Sequence, residues 1–240
     1  MSTLTIVYAA DEDLALRASA DFAILCPADQ TLAAGTDGAF TPDDPWTLRS
    51  SSVNFAAQGV AAGQVVQLTR PITAFPPPGE AMVVAAVAAG SVTLRRKGQA
   101  AGVGQPPGPS SGLVNVAFTI ATLGPQIESA SYELNRRFGI DDLIAGRRAA
   151  DLYDPREIRQ ATVLAVLARQ YLAMSRATGD QGDAFASKAR CLASELDDLL
   201  ARAVVRWGPS PDSPGATAQG TQPYGNLNPP TSRFCTRLSR

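Results

Sequence analysis

Three acidic pairs, Asp43-Asp44, Asp141-Asp142 and Asp197-Asp198, are by type the residues best suited to chemistry, because two neighbouring carboxylates are the minimum for metal-assisted or glycosidic hydrolysis. Each also has a plainer use. The first lies in a Pro-flanked turn, the second follows a helix stop at Gly139, and the third falls on the polar face of an amphipathic helix. The enzyme reading reduces to a divalent-ion pocket at Asp43/Asp44 or Asp141/Asp142. There is no histidine, which excludes Ser-His-Asp and Cys-His nucleophiles, His-bearing metal sites and a histidine pH switch. Ser50-Ser51-Ser52 and Ser110-Ser111 therefore lack that base, and neither Lys97 nor Lys188 has a spacing that suggests a Ser-Lys pair. Cys26, Cys191 and Cys235 are too far apart in sequence for a CxxC pair or a metal cluster. The glycines from Gly98 to Gly112 lie in a proline-rich stretch with no helix start behind them, so they do not form a phosphate cradle. The expectation is a chain that is not an enzyme and has no cofactor or metal.

Arg95-Arg96-Lys97, at the end of a strand-like run, is the best candidate for binding single-stranded nucleic acid. Interleaved aromatics are missing there, and a solvated strand end is the plainer reading. Over the whole chain 21 basic and 22 acidic residues leave a net charge of −1, so no basic surface announces itself by count. The first 120 residues carry 9 acids and 6 bases, whereas 121–207 are balanced at 12 and 12. The longest apolar run, Ala81 to Ala89, is under half of a spanning helix, and the first residues lack a basic start and a long apolar stretch. Neither membrane insertion nor secretion is expected.

The elements that would carry these residues follow from periodicity. Asp11-Glu12-Asp13 complements a helix amino end, and Leu14, Ala18, Phe22 and Leu25 share one face, predicting a helix over 11–25. Turn signals then alternate with short β-rich runs at Trp46–Arg49, Ser52–Phe55, Val65–Thr69, Met82–Val87, Ser91–Arg95 and Leu113–Ile120. That spacing predicts a small antiparallel barrel or sandwich, with residues 98–112 as an exposed loop. From Gly124 the period becomes helical. Ile127, Ala130, Leu134 and Phe138 form one stripe, Asp154-Pro155-Arg156-Glu157 opens a long helix running to Thr178-Gly179, and a third helix spans about 183–207. The long helix is apolar on two faces and so expects neighbours on both sides. The fold class expected is α+β: a small bundle of three to four helices, an inserted small antiparallel β-barrel and an extended carboxy-terminal arm. The divisions are 1–30 (amino-terminal helix of the bundle), 31–121 (barrel), 122–207 (bundle) and 208–240 (arm). The arm has six Pro and four Gly in 33 residues, too little apolar surface for a core of its own.

The run Glu133-Leu134-Asn135-Arg136-Arg137-Phe138-Gly139 closing one helix, followed by Asp154-Pro155-Arg156-Glu157-Ile158-Arg159-Gln160-Ala161 opening the next and a further helix from Phe185 to Trp207, resembles the head-tail connector (adaptor) proteins of tailed bacteriophages. The likeness covers roughly residues 121–207, plus the general character of the arm. Val53-Asn54-Phe55 to Gly59-Val60-x-x-Gly63-x-Val65-Val66 more weakly resembles the small barrels of phage neck and tail proteins. The resemblance implies a virion structural protein of the neck, made in the host cytoplasm. It would form a homo-oligomeric ring, commonly of twelve copies, between the portal protein and the tail or nozzle proteins, with DNA passing through the channel unread. Carried onto this chain, the ring interface would be Ile158, Leu164, Leu167, Tyr171, Leu192, Leu196 and Leu199. The portal-binding arm would use Tyr224, Leu227, Phe234 and Leu238 as apolar anchors, with Arg233, Arg237 and Arg240 meeting acids. The alternative is a barrel that binds single-stranded nucleic acid and oligomerises through its helices.

Overall fold

The computed structural model describes residues 6–144, 146–178, 182–203 and 205–208. These fall into two compact units: Ala10–Pro125, and a helical unit formed by the residues up to Ala9 with those from Gln126 onward. The fold is mixed α+β, with a closed six-stranded antiparallel barrel and several helices.

The barrel strands are β1 (Thr31–Thr41), β2 (Asp44–Arg49), β3 (Val65–Arg70), β4 (Glu80–Ala88), β5 (Ser91–Arg95) and β6 (Leu113–Ala121), closed in the order β1-β2-β5-β4-β3-β6. Closure leaves no strand edge exposed. The alternation of β5, with Val92 and Leu94 inward, is the period-two signal of the sequence expressed directly. Ala88 pairs with Ser91, so Ala89-Gly90 makes the tight hairpin expected there. Val66, Leu68, Met82, Val84, Val116, Phe118 and Ile120 fill the interior. Val53, Phe55 and Val60 from the β2–β3 connection and Phe75 from the β3–β4 connection join the same core. The rings of Phe55 and Phe118 meet at 5.5 Å between centroids.

Three expectations for this unit are corrected. Ser52–Phe55 is not a strand, because the Ser51 and Ser52 amides are committed to the Asp37 carboxylate instead of a ladder. The segment 11–25 is two short helices, α1 (Asp11–Arg17) and α2 (Phe22–Leu25), and both belong to the barrel unit rather than to the bundle. Their shared face was read correctly, since Leu14, Ala18, Phe22 and Leu25 are all buried, but the helix breaks at Ala18, whose ψ is 49°. Finally, residues 98–112 are not wholly free in solvent. Pro107 and Gly108 are buried, and the Gly108 amide donates to the Pro45 carbonyl at 3.1 Å.

The helical unit contains α3 (Gly124–Phe138, entering from the end of the barrel unit), α4 (Arg156–Ala177) and α5 (Gly182–Arg202). The α3 stripe is buried as predicted, and Gly139 ends the helix at φ 65°, with the Ile140 amide returning to the Asn135 carbonyl. Asp154 accepts the Arg156 amide at 2.9 Å at the start of α4. From Ala161 to Leu167 every residue of α4 is buried, matching its two-faced apolar pattern. α5 packs along α4, and Gly182 permits the close start: a Cβ there would lie 2.3 Å from the Ser175 carbonyl oxygen. α5 stops at Arg202, short of the expected Trp207, which instead bridges to Leu152 as an isolated antiparallel pair. The amino-terminal segment joins this unit through the Tyr8 hydroxyl, which donates to Asn135 at 2.6 Å.

Candidate functional site

The seven side chains expected at a ring interface lie in the protomer's own helical packing. Ile158, Leu164, Leu167, Tyr171 and Leu199 are buried, and Leu192 and Leu196 are half-buried against the core formed with Leu134, Phe138 and Ala161. A side chain already covered by α3, α4 or α5 has little area to give to a neighbour. The two apolar faces of α4 find their partners within the chain. The arm residues Tyr224, Leu227, Arg233, Phe234, Arg237, Leu238 and Arg240 lie outside the described residues, as does Cys235.

The acidic pairs have structural partners or face solvent. Asp44 pairs with Arg49 at 3.2 Å. Asp141 accepts the Leu143 amide at 2.9 Å and Asp142 accepts the Ala149 amide at 3.2 Å. On α5, Asp197 is exposed and Asp198 half-exposed, and the Arg202 Nε donates to the Asp198 carbonyl rather than to its carboxylate. Among the described residues no group of three or more potential ligands could hold a metal ion. No helix of the described residues is long and apolar enough to cross a membrane.

The basic run is also committed. Arg95 makes a two-armed pair with Glu12 and donates to the Gln99 carbonyl at 3.0 Å; Glu12 also accepts the Gly98 amide. The hydrogen bonds that Arg95 donates to the Glu12 carboxylate raise its pKa. Arg96 pairs with Glu80 at 2.7 Å and donates to the Gln105 carbonyl at 2.7 Å. Lys97 is pushed down by burial, with Glu80 opposing. The two arginines fasten α1, β4 and the 98–105 loop together, leaving little of their charge for a phosphate backbone.

Sequence reasoning did not single out two further clusters. The Asp37 carboxylate, at an irregular stretch of β1, accepts from the Ser50 hydroxyl at 2.9 and 3.0 Å, the Ser51 amide and hydroxyl at 2.9 and 3.0 Å, and the Ser52 amide at 2.9 Å. Burial alone would raise this carboxyl, but the bonds from Ser50, Ser52 and Ser51 outweigh it and hold it well below the usual carboxylate range. An ionised, fully engaged carboxylate is a latch rather than a base. The second cluster is buried. Asp11, only 4% exposed, accepts the Thr122 hydroxyl and the Leu123 amide at 2.7 Å each. Burial raises its carboxyl despite those bonds, and burial and Asp11 together push the Cys26 thiol up to about 12, so this thiol is not a nucleophile at neutral pH.

Between α3 and α4 the chain makes a braced projection. The Asp141 amide donates to the Arg147 carbonyl at 2.8 Å and the Arg147 amide to the Ile144 carbonyl at 3.0 Å. Asp151 accepts the Gly146 and Arg148 amides at 3.1 Å each. On this frame Leu143 is 92% exposed and Ile144 47% exposed, with Arg147 and Arg148 exposed beside them. In the same unit, Tyr153, Asp154, Glu157, Arg202 and Arg206 line an open groove of about 310 Å³. Both signs of charge meet in it, which suits a polar surface contact more than a desolvated reaction. Searches against family models, curated proteins and solved structures return no match.

Proposed function

We propose that this chain is a non-enzymatic virion structural protein, a head-to-tail adaptor that assembles as a ring beneath the portal and joins it to the tail. In this reading the protein is a helical bundle with an inserted barrel and an extended arm. Residues 208–240 dock on the portal, tail or nozzle proteins are received elsewhere on the ring, and DNA passes through the channel without being read. The observation that carries the reading is the division of labour among side chains. The groups that could do chemistry (Asp44, Asp141, Asp142, Arg95 and Arg96) hold the protomer together, while large apolar residues such as Leu143, Tyr132 and Leu172 remain exposed on the helical unit. The α3–α4–α5 succession supports it through the sequence resemblance it embodies. The nucleic-acid alternative has less support, because its two arginines are paired with Glu12 and Glu80.

The test is binding to the cognate portal ring. The full chain is expected to bind, and a chain stopped after Gly208 is expected not to bind. The triple change Arg95→Ala, Arg96→Ala and Lys97→Ala should leave portal binding intact. If the full chain ignores the portal but retains single-stranded DNA, with a steep salt dependence that the triple change abolishes, the adaptor reading is wrong.

A further inference from the structure

We infer that Asp37-Gly38 is a latent site of isoaspartate formation and that the serines of the β2–β3 connection keep it closed. The inference is independent of the adaptor reading. An Asp-Gly step is the aspartyl dipeptide most open to this chemistry, because glycine has no side chain to shield its amide nitrogen and leaves the backbone free to turn. Asp37-Gly38 is the one Asp-Gly step in the sequence, and Asn-Gly does not occur. The usual relief, a bulky residue after the aspartate, is closed to this fold. A Cβ on Gly38 would lie 2.7 Å from the Val116 carbonyl oxygen and 2.9 Å from the Leu48 side chain. Packing therefore fixes the glycine, the latch fixes the aspartate, and the labile pair results from both.

The reaction is an intramolecular acyl transfer. The Gly38 amide nitrogen attacks the Asp37 Cγ, the new N–Cγ bond closes a cyclic imide, and the carboxyl OH leaves as water with the amide proton. Water then adds to the α-carbonyl of residue 37 and breaks its bond to the Gly38 nitrogen. The main chain now runs through Cγ, the α-carboxylate becomes the side group, and the sum is an isomerisation that needs no oxidant or cofactor. Closure of the imide demands a neutral carboxyl and rotation of the Asp37 side chain onto the following amide. The latch opposes both. Hydrogen bonds from Ser50, Ser51 and Ser52 engage both carboxylate oxygens, and the group is held ionised well below the usual carboxylate range. Asp37 is only half-buried, within reach of the water that the second step consumes. The product would lengthen the β1 main chain by one carbon between Gly35 and Gly38, where the register with β6 already shifts, and would withdraw the carboxylate from the serines.

The test holds the full chain for weeks at neutral pH, well below its melting midpoint, beside the same chain unfolded in guanidinium. Isoaspartate at residue 37 is read by mass spectrometry with electron-transfer fragmentation, which separates the two linkages. The folded parent is expected to isomerise there about tenfold or more slowly than the unfolded chain. The double variant Ser50→Ala with Ser51→Ala, which removes the hydroxyl share of the latch, should isomerise about fivefold or more faster than the parent. Val92→Ala, a core loss in β5 that leaves the latch whole, should match the parent. A parent as fast as the unfolded chain, a double variant no faster than the parent, or Val92→Ala rising as much as the double variant would each overturn the proposal. Should the double variant not fold, Ser51→Ala decides the matter, since it removes a single bond from an exposed hydroxyl; no gain over the parent then counts against the latch.

Discussion

Asp37 concentrates more polar bonding than any residue the composition would single out. Five hydrogen bonds from three consecutive serines converge on one carboxylate, pinning the β2–β3 connection to β1 and placing Val53 and Phe55 over the barrel core. Charge-assisted bonds of this kind, partly open to water, argue that Asp37→Ala costs about 1–2 kcal/mol at neutral pH. The folded carboxyl is held below its unfolded value of about 3.9, so its contribution is fully present above that value. It is lost as the pH falls toward the folded pKa. Urea titrations should therefore show the gap between parent and Asp37→Ala to be widest at pH 7 and clearly narrower at pH 3. A gap independent of pH would mean that the serines, and not the ionised carboxylate, carry the latch.

Among the elements, the strands with clean period-two patterns were legible. β5 has the bounds expected, β2, β3, β4 and β6 differ by a few residues, and α3 and α4 begin and end where Pro125, Gly139, Asp154 and Gly179 suggest. β1 was not legible, because Gly35-Thr36-Asp37-Gly38 reads as a turn. The two glycines have a packing purpose. A Cβ on Gly35 would come within 2.8 Å of the Phe118 ring, and one on Gly38 within 2.7 Å of the Val116 carbonyl, at a point where the β1–β6 register shifts. A single sequence does not distinguish a glycine that turns from one that lets a ring approach. Periodicity likewise shows that α4 has two apolar faces, but not whether α3 and α5 or another copy covers them. Gly35→Ala should cost about 1–3 kcal/mol by overpacking against Phe118. Phe118→Leu makes room, so the double variant should be more stable than the two single losses together imply, by about 0.5 kcal/mol or more. Additive losses in guanidinium midpoints would show that the glycine is required for backbone conformation and not for the aromatic contact.

At the scale of the whole molecule, each of the two units has its own buried core. The barrel closes on itself, and most leucines of α4 and α5 are buried or half-buried in the helical core. On the adaptor reading, residues 209–240 would serve assembly. A chain stopped after Gly208 keeps 18 basic and 21 acidic residues, a net charge of −3. Its melting midpoint should lie within about 2 °C of the full chain's, because none of the described core side chains is removed. Portal binding should be lost over the same truncation. A large drop in midpoint would place the tail's apolar residues, Tyr224, Leu227, Phe234 and Leu238, in the protomer's own packing, where they could not also be anchors for a portal. An unchanged midpoint with portal binding retained would move the docking site into the described units, and Leu143 would be the first residue to substitute.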